Sequence, residues 1–129
     1  MLIVDGKHIQ ITRGNILPLL VSALNKDGSE YEFKPDDVIR FKIMQAKNVN
    51  NVLLEKDFTV TETSKEIEIT ITANEMKIGD LSSKSIDYWY EIELNPDTDD
   101  TQTIVGYTKK EGAAILTITP EGGDKKWLM

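Results

Sequence analysis

Few residues of this chain have the chemistry to act on a ligand, and most of those are carboxylates. One histidine, His8, follows Asp5-Gly6-Lys7. A general base needs a partner that orients it and a metal centre needs several ligands, so a single imidazole supplies neither. It reads as a surface histidine beside a turn. No serine stands in a nucleophile-elbow context, and the chain has no cysteine, which removes thiolate nucleophiles, thiolate zinc sites and disulfides. The run Asn95-Pro96-Asp97-Thr98-Asp99-Asp100-Thr101 gathers three carboxylates within four positions, the kind of oxygen ligand that calcium favours. Counted from Asp97, the sixth and twelfth positions hold Gln102 and Thr108, where an EF-hand loop needs Gly and Glu. An exposed hairpin tip is the default reading, with a calcium loop as its alternative.

Glu66 with Glu68, and Glu91 with Glu93, lie two apart in strand-like runs and so share an outward face. Paired carboxylates can run acid and base chemistry on a sugar, but no cluster of aromatic and polar residues accompanies these pairs to bind and distort a ring. They read as solvating charges that discourage stray strand pairing. Tyr88-Trp89-Tyr90 places three aromatics in a row in a chain that is only 7% aromatic. Strand parity divides them: Tyr88 and Tyr90 go with Ile86, Ile92 and Leu94 to the core, and Trp89 goes outward with Asp87, Glu91 and Glu93. One outward tryptophan among acids makes a thin sugar site and a plausible protein anchor. No catalytic residue, cofactor or metal ligand is therefore assigned, and no enzyme is expected.

The elements that must carry these residues are strands. With 129 residues, 40% hydrophobic and 29% charged, the chain has the length and composition of one soluble domain, here expected over residues 1–120 with a tail at 121–129. A net charge of −7 repels phosphate backbones and anionic lipid, so no nucleic acid and no membrane is expected as a partner. Neither a signal peptide nor a membrane span is expected.

Apolar residues recur with period two. Ile67, Ile69 and Ile71 share one face, as do Ile39, Phe41 and Ile43, while Arg40, Lys42 and Met44 point outward. Val52, Leu54, Phe58 and Val60 share a parity interrupted by Lys56. Asn25-Lys26-Asp27-Gly28 reads as a hairpin turn, and Lys34-Pro35-Asp36-Asp37, residues 48–51, Asn95-Pro96-Asp97 and residues 109–112 punctuate the rest. About eight strands at short spacing predict an all-β antiparallel sandwich or barrel. One segment departs from this: Thr72, Glu75 and Gly79 predict a capping box and C-cap around a single helical turn near 73–79, carrying the chain from one sheet to the other.

Ile16-Leu17-Pro18-Leu19-Leu20-Val21 is apolar on both parities, and Pro18 favours a sheet edge or bulge. Two apolar faces require cover on both, supplied either by an internal loop or by another protein chain. Leu17, Leu19, Val21 and Trp89 are the foremost protein-contact candidates, followed by Met44 and Trp127. Trp127-Leu128-Met129, after a Gly-Gly and two lysines, reads either as a docking anchor or as a frayed end.

The order of these segments carries a resemblance. Ile11-Thr12-Arg13-Gly14-Asn15 precedes an apolar strand, and Lys26-Asp27-Gly28 precedes Tyr31 and Phe33. Asp37-Val38-Ile39-Arg40-Phe41, the segment from Ile69 to Gly79, Tyr88-Trp89-Tyr90-Glu91-Ile92, Thr103-Ile104-Val105-Gly106 and Leu116-Thr117-Ile118-Thr119 follow in turn. Over residues 9–120 this resembles the small β-sandwich proteins of tailed phages and prophages of Gram-positive bacteria, in particular the N-terminal domain of the upper baseplate protein of lactococcal phages. The resemblance implies an immunoglobulin-like sandwich and a non-enzymatic virion component of the baseplate, tail or neck. It also implies contacts with other phage structural proteins and with copies of itself, in a particle assembled in the host bacterial cytoplasm. The reading from another class is a carbohydrate-binding β-sandwich module of a surface or secreted protein, which needs two or more exposed aromatics in one plane.

Overall fold

A computed structural model describes the backbone of residues 2–5, 8–25, 27–79, 84–99, 101–105 and 112–120, and the side chains of these residues from His8 onward. Alternation of apolar and polar residues produces nine strands among them: β1 (Leu2–Asp5), β2 (His8–Thr12), β3 (Leu17–Val21), β4 (Val38–Gln45), β5 (Asn48–Thr59), β6 (Ile67–Ile71), β7 (Ile86–Leu94), β8 (Gln102–Val105) and β9 (Ala114–Thr119). Six lie in one sheet in the order β1-β2-β9-β7-β4-β5, and β8 joins it on β7. β9 pairs with residues 86–90 of β7 and β8 with residues 92–94. A second sheet consists of β3 and β6 alone. The chain is thus an all-β sandwich of unequal layers. Its pairs are antiparallel except β2 with β9, which run parallel and tie the first and last parts of the fold together.

The core lies where the inner parities meet. Ile39, Phe41 and Ile43 of β4, Tyr88, Tyr90 and Ile92 of β7, and Ile9, Ile11, Leu116 and Ile118 of β2 and β9 line the large sheet. Leu17, Val21, Ile69 and Ile71 line the small one, and Phe33, Met76 and Ile78 fill between them from the connections. Both tyrosines are core, as their parity predicts; burial pushes the Tyr90 hydroxyl up to about 12.

The connections follow the turn chemistry in most places. Leu24 bridges Glu30 around the Asn25 to Gly28 turn, where Gly28 adopts a positive φ of 90° and Asp27 accepts from the Ser29 amide at 2.9 Å. Pro35 and Asp36 turn the chain ahead of β4, with Asp37 N bonded to Lys34 O at 3.1 Å. The Asn-rich residues 48–51 are not a turn, however. The reversal occurs at Ala46 and Lys47, and Asn48 to Asn51 begin β5. A register shift follows: Ile43 faces Leu54 but Met44 faces Val52, so Leu53 is the extra residue. This bulge moves Val52 off the inner parity, to 42% exposure.

The predicted helical turn is a turn, not a helix. Its capping box forms as expected: Thr72 N donates to Glu75 Oε1 at 2.9 Å and Glu75 N donates to Thr72 Oγ1 at 3.2 Å. Met76 N then bonds Thr72 O, but Lys77 N reaches Asn74 O instead of continuing the i to i−4 ladder. Arg13 holds the far end, donating to the carbonyls of Ile78 at 3.2 Å and Gly79 at 2.9 Å. Gly79 has a positive φ of 72°, and a Cβ there would stand 2.6 Å from the Tyr88 hydroxyl, so the position excludes side chains on both counts. The segment does leave the small sheet at β6 for the large sheet at β7, as the sequence predicts.

Candidate functional site

Several polar side chains singled out in the sequence are hydrogen-bonded to one another. Thr117 Oγ1 donates to Asp87 Oδ1 at 2.7 Å, and a carboxylate accepts only, so the His8 Nε2 at 2.7 Å on the other side of Thr117 must itself donate. In that arrangement the hydroxyl donates one hydrogen bond to a carboxylate and accepts one from the imidazole. It pins β2 to β9 and β7.

In the acidic loop, Asp97 Oδ2 is bonded to Arg40 Nη1 at 3.0 Å, and Asn95 Oδ1 accepts from Val38 N at 2.9 Å. Asp100 lies outside the described residues. Asp37 accepts from Lys34 N, from the Tyr31 hydroxyl at 2.8 Å and from Asn95 Nδ2. Burial works against its charge, but these donors prevail and hold its carboxyl below the usual range. Burial first, and then the Asp37 charge, push the Tyr31 hydroxyl up to about 12.

The outer face of the large sheet is a set of matched rows across β5, β4 and β7. Arg40 forms a two-point contact with Asp57, at 2.8 and 3.1 Å. Lys42 Nζ lies 3.4 Å from Glu91 and 3.1 Å from Glu93. Glu93 Oε1 is fully enclosed, with the Lys42 ammonium as counter-charge but no well-aligned hydrogen bond. Burial, reinforced by the neighbouring Glu93 charge, raises the Glu91 carboxyl despite Lys42. The carboxylate pair predicted to be solvating is therefore half-buried and clamps a lysine. The next row is apolar: Val52, Met44, Trp89 and Ile115 stand in register across four strands.

Two of the six protein-contact candidates are core residues instead. Leu17 is 0% and Val21 4% exposed, because the parity they share with Leu19 faces the large sheet. Both parities of β3 are apolar, so sequence alone did not say which was inside. Met44 is also corrected: it points outward but is only 3% exposed in its apolar row. Trp89 points outward and is half-buried, Leu19 is half-buried at the rim of the core, and Trp127 lies outside the described residues.

The free surface on this part of the molecule belongs to other residues. Ile16, Leu20 and Leu24 are 56%, 64% and 69% exposed. Beside them runs a groove whose walls are the Leu19 to Leu24 segment and β8. It consists of two adjoining recesses, of about 230 and 440 Å³, that share Ser22 and Ile104. Ile9, Tyr90 and Ile92 form the floor of the first. Among the described residues β3 pairs only with β6, and β8 only with β7, so each leaves one strand edge unpaired. The signal for this site was present in the double apolarity of residues 16–21, but β8 lies far away in sequence. A wider depression of about 580 Å³ near Asp57, Glu62, Glu66 and Glu68 is open and acidic, without convergent donors.

No protein-family model matches the chain, and neither the curated proteins nor the solved structures include a match.

Proposed function

We propose that this protein is a non-enzymatic assembly component of a tailed phage or prophage particle, acting through contacts with other structural proteins and with its own copies. The observation that carries the assembly part is the exposed apolar run of Ile16, Leu20 and Leu24 beside an apolar groove. Exposed apolar residues gathered around a recess mark interaction surfaces, whereas scattered ones need no explanation. The phage part rests on the ordered motifs from Arg13-Gly14-Asn15 to Leu116-Thr117-Ile118-Thr119 and on the immunoglobulin-like sandwich they imply.

The carbohydrate-binding alternative is less well supported. It needs coplanar exposed rings, yet Tyr88 and Tyr90 are buried, and Trp89, Tyr31 and Phe58 are half-buried. Size-exclusion chromatography with light scattering, run beside a glycan-binding screen, separates the two. Concentration-dependent association weakened by Leu20→Asp supports assembly. A monomer at high concentration that binds a glycan, with binding lost in Trp89→Ala, would overturn it.

A further inference from the structure

We propose that the groove between β3 and β8 accepts an extended strand, and that its occupant is Lys125-Lys126-Trp127-Leu128-Met129 of a second copy. This inference rests on the assembly reading and names the partner segment.

The first argument is the shape of the site. Two strand edges that are unpaired among the described residues, one from each sheet, flank an apolar floor at Ile9, Tyr90 and Ile92. An extended segment between them can extend either sheet through its backbone while its side chains enter the floor. The recess of about 230 Å³ over that floor is lined mainly by apolar residues, a chemistry that suits an apolar side chain.

The second argument is charge. The Leu24 end of the groove lies beside the hairpin whose sequence carries Asp27 and Glu30 against one lysine, Lys26, and Gln102 at the same end follows the turn bearing Asp99. An acidic segment is repelled there, and one carrying lysine is drawn in. Residues 125–129 combine two lysines with three consecutive large apolar residues. Laid with the lysines toward the acidic end, the segment brings Trp127 and the residues after it over the apolar floor.

The third argument is reach, which selects a second copy over the same chain. Ile118 of β9 pairs with Ile86, whereas Val105 of β8 pairs with Ile92, a separation along β7 of about 20 Å at roughly 3.3 Å per residue. β9 runs antiparallel to β7, so its chain leaves Thr119 heading away from β8. From Pro120 to Trp127 a fully extended chain spans at most about 24 Å, and reversing direction uses up part of that. A second copy has no such constraint. The contact joins a segment on one copy to a groove on another, so it either repeats into rings or filaments or closes into a two-fold dimer when two copies exchange segments reciprocally.

The test uses the full chain and two variants damaged on opposite sides of the contact. Leu20→Asp blocks the groove at an exposed position, its folding checked by circular dichroism because it sets a second acid opposite Glu68, and Trp127→Ala removes the anchor. By light scattering and analytical ultracentrifugation, each variant alone is expected to associate at least about tenfold more weakly than the parent, the loss of one central anchor. Mixed together they are expected to form a one-to-one complex, because one supplies an intact groove and the other an intact segment. Oligomers that survive both substitutions, or variants that fail to complement on mixing, overturn the strand-exchange inference and leave the assembly reading standing. A monomeric parent that also shows no glycan binding overturns this inference and the self-contact half of the proposed function, while contacts with other structural proteins stand.

Discussion

On the outside of the large sheet, Arg40 faces Asp57 on one neighbour and Glu93 on the other, and Lys42 faces Glu55 and Glu91. On the outside of the small sheet, Pro18 faces Thr70 and Leu20 faces Glu68. The first surface answers its charges strand by strand and has buried the apolar Met44 in a row of its own. The second leaves Leu20 mostly in water beside an acid that cannot pair with it. Matched charge rows keep a sheet face solvated and unattractive to stray strands. An exposed leucine forgoes about 1.5–3 kcal/mol that burial would supply, which becomes available when a partner covers it. Under the assembly proposal, the first face is complete within the chain and the second is the one that a partner covers.

The sharpest way to break that contrast is on β3 itself, where inward and outward leucines are neighbours. Leu17→Ala removes a fully buried side chain and is expected to cost about 2–5 kcal/mol in chemical denaturation. Leu20→Ala is expected to change stability by less than about 0.5 kcal/mol while weakening self-association. Equal losses of stability would mean that Leu20 is covered within the chain and that the contact surface lies elsewhere.

That pair of leucines also shows where the sequence was legible. Alternation located β4, β6 and β7 to within a residue or so, because each has one apolar and one polar parity. The inner rings of Tyr88 and Tyr90 and the outward Trp89 followed from the same rule. It failed on β3, where both parities are apolar and only the opposing sheet decides which is inside. It failed at Val52 because a one-residue bulge reverses parity, and no residue type announces that bulge. The groove depends on β8 stopping where β9 begins along β7, a matter of sheet assembly rather than local pattern.

The seam between the two sheets gives the next test. Lys56 points inward from the edge strand β5, an arrangement that discourages strand addition. Its ammonium meets Glu75 Oε1 at 2.6 Å and Thr70 O at 3.3 Å, and lies 5.3 Å from the centre of the Phe58 ring. The Lys56 hydrogen bond, followed by the Thr72 amide, holds the Glu75 carboxyl down to about 2. A depressed folded pKa stabilises fully above the unfolded value near 4.5 and loses that contribution as pH falls toward 2. Thermal stability should therefore decline through this window, and Glu75→Gln should flatten part of the decline. At neutral pH Glu75→Gln should cost about 1 kcal/mol, since the charge-assisted bond to Lys56 is lost while the Gln amide oxygen still accepts from Thr72 N. An acid limb identical in both proteins would show that the seam does not depend on this pair.

The smallest effect is expected on the charge rows, and its smallness is informative. Arg40 is the best-formed cation of the outer face, with its two-point contact to Asp57 and a third bond to Asp97. The Asp57 bonds above all, and then Asp97, raise its pKa, and the same pairing lowers the Asp57 carboxyl. Both acids remain substantially exposed, however, at 45% and 80% of their side-chain surface, so water already competes for them. Arg40→Gln should cost no more than about 1 kcal/mol at low salt. The cost should shrink further near 1 M salt, where screening acts within about 3 Å. Because Arg40 lies on the opposite face from the groove, self-association should not change with it. A large, salt-insensitive loss of stability would mean that the rows bear on the core. A loss of association in Arg40→Gln would move the contact surface to the large sheet.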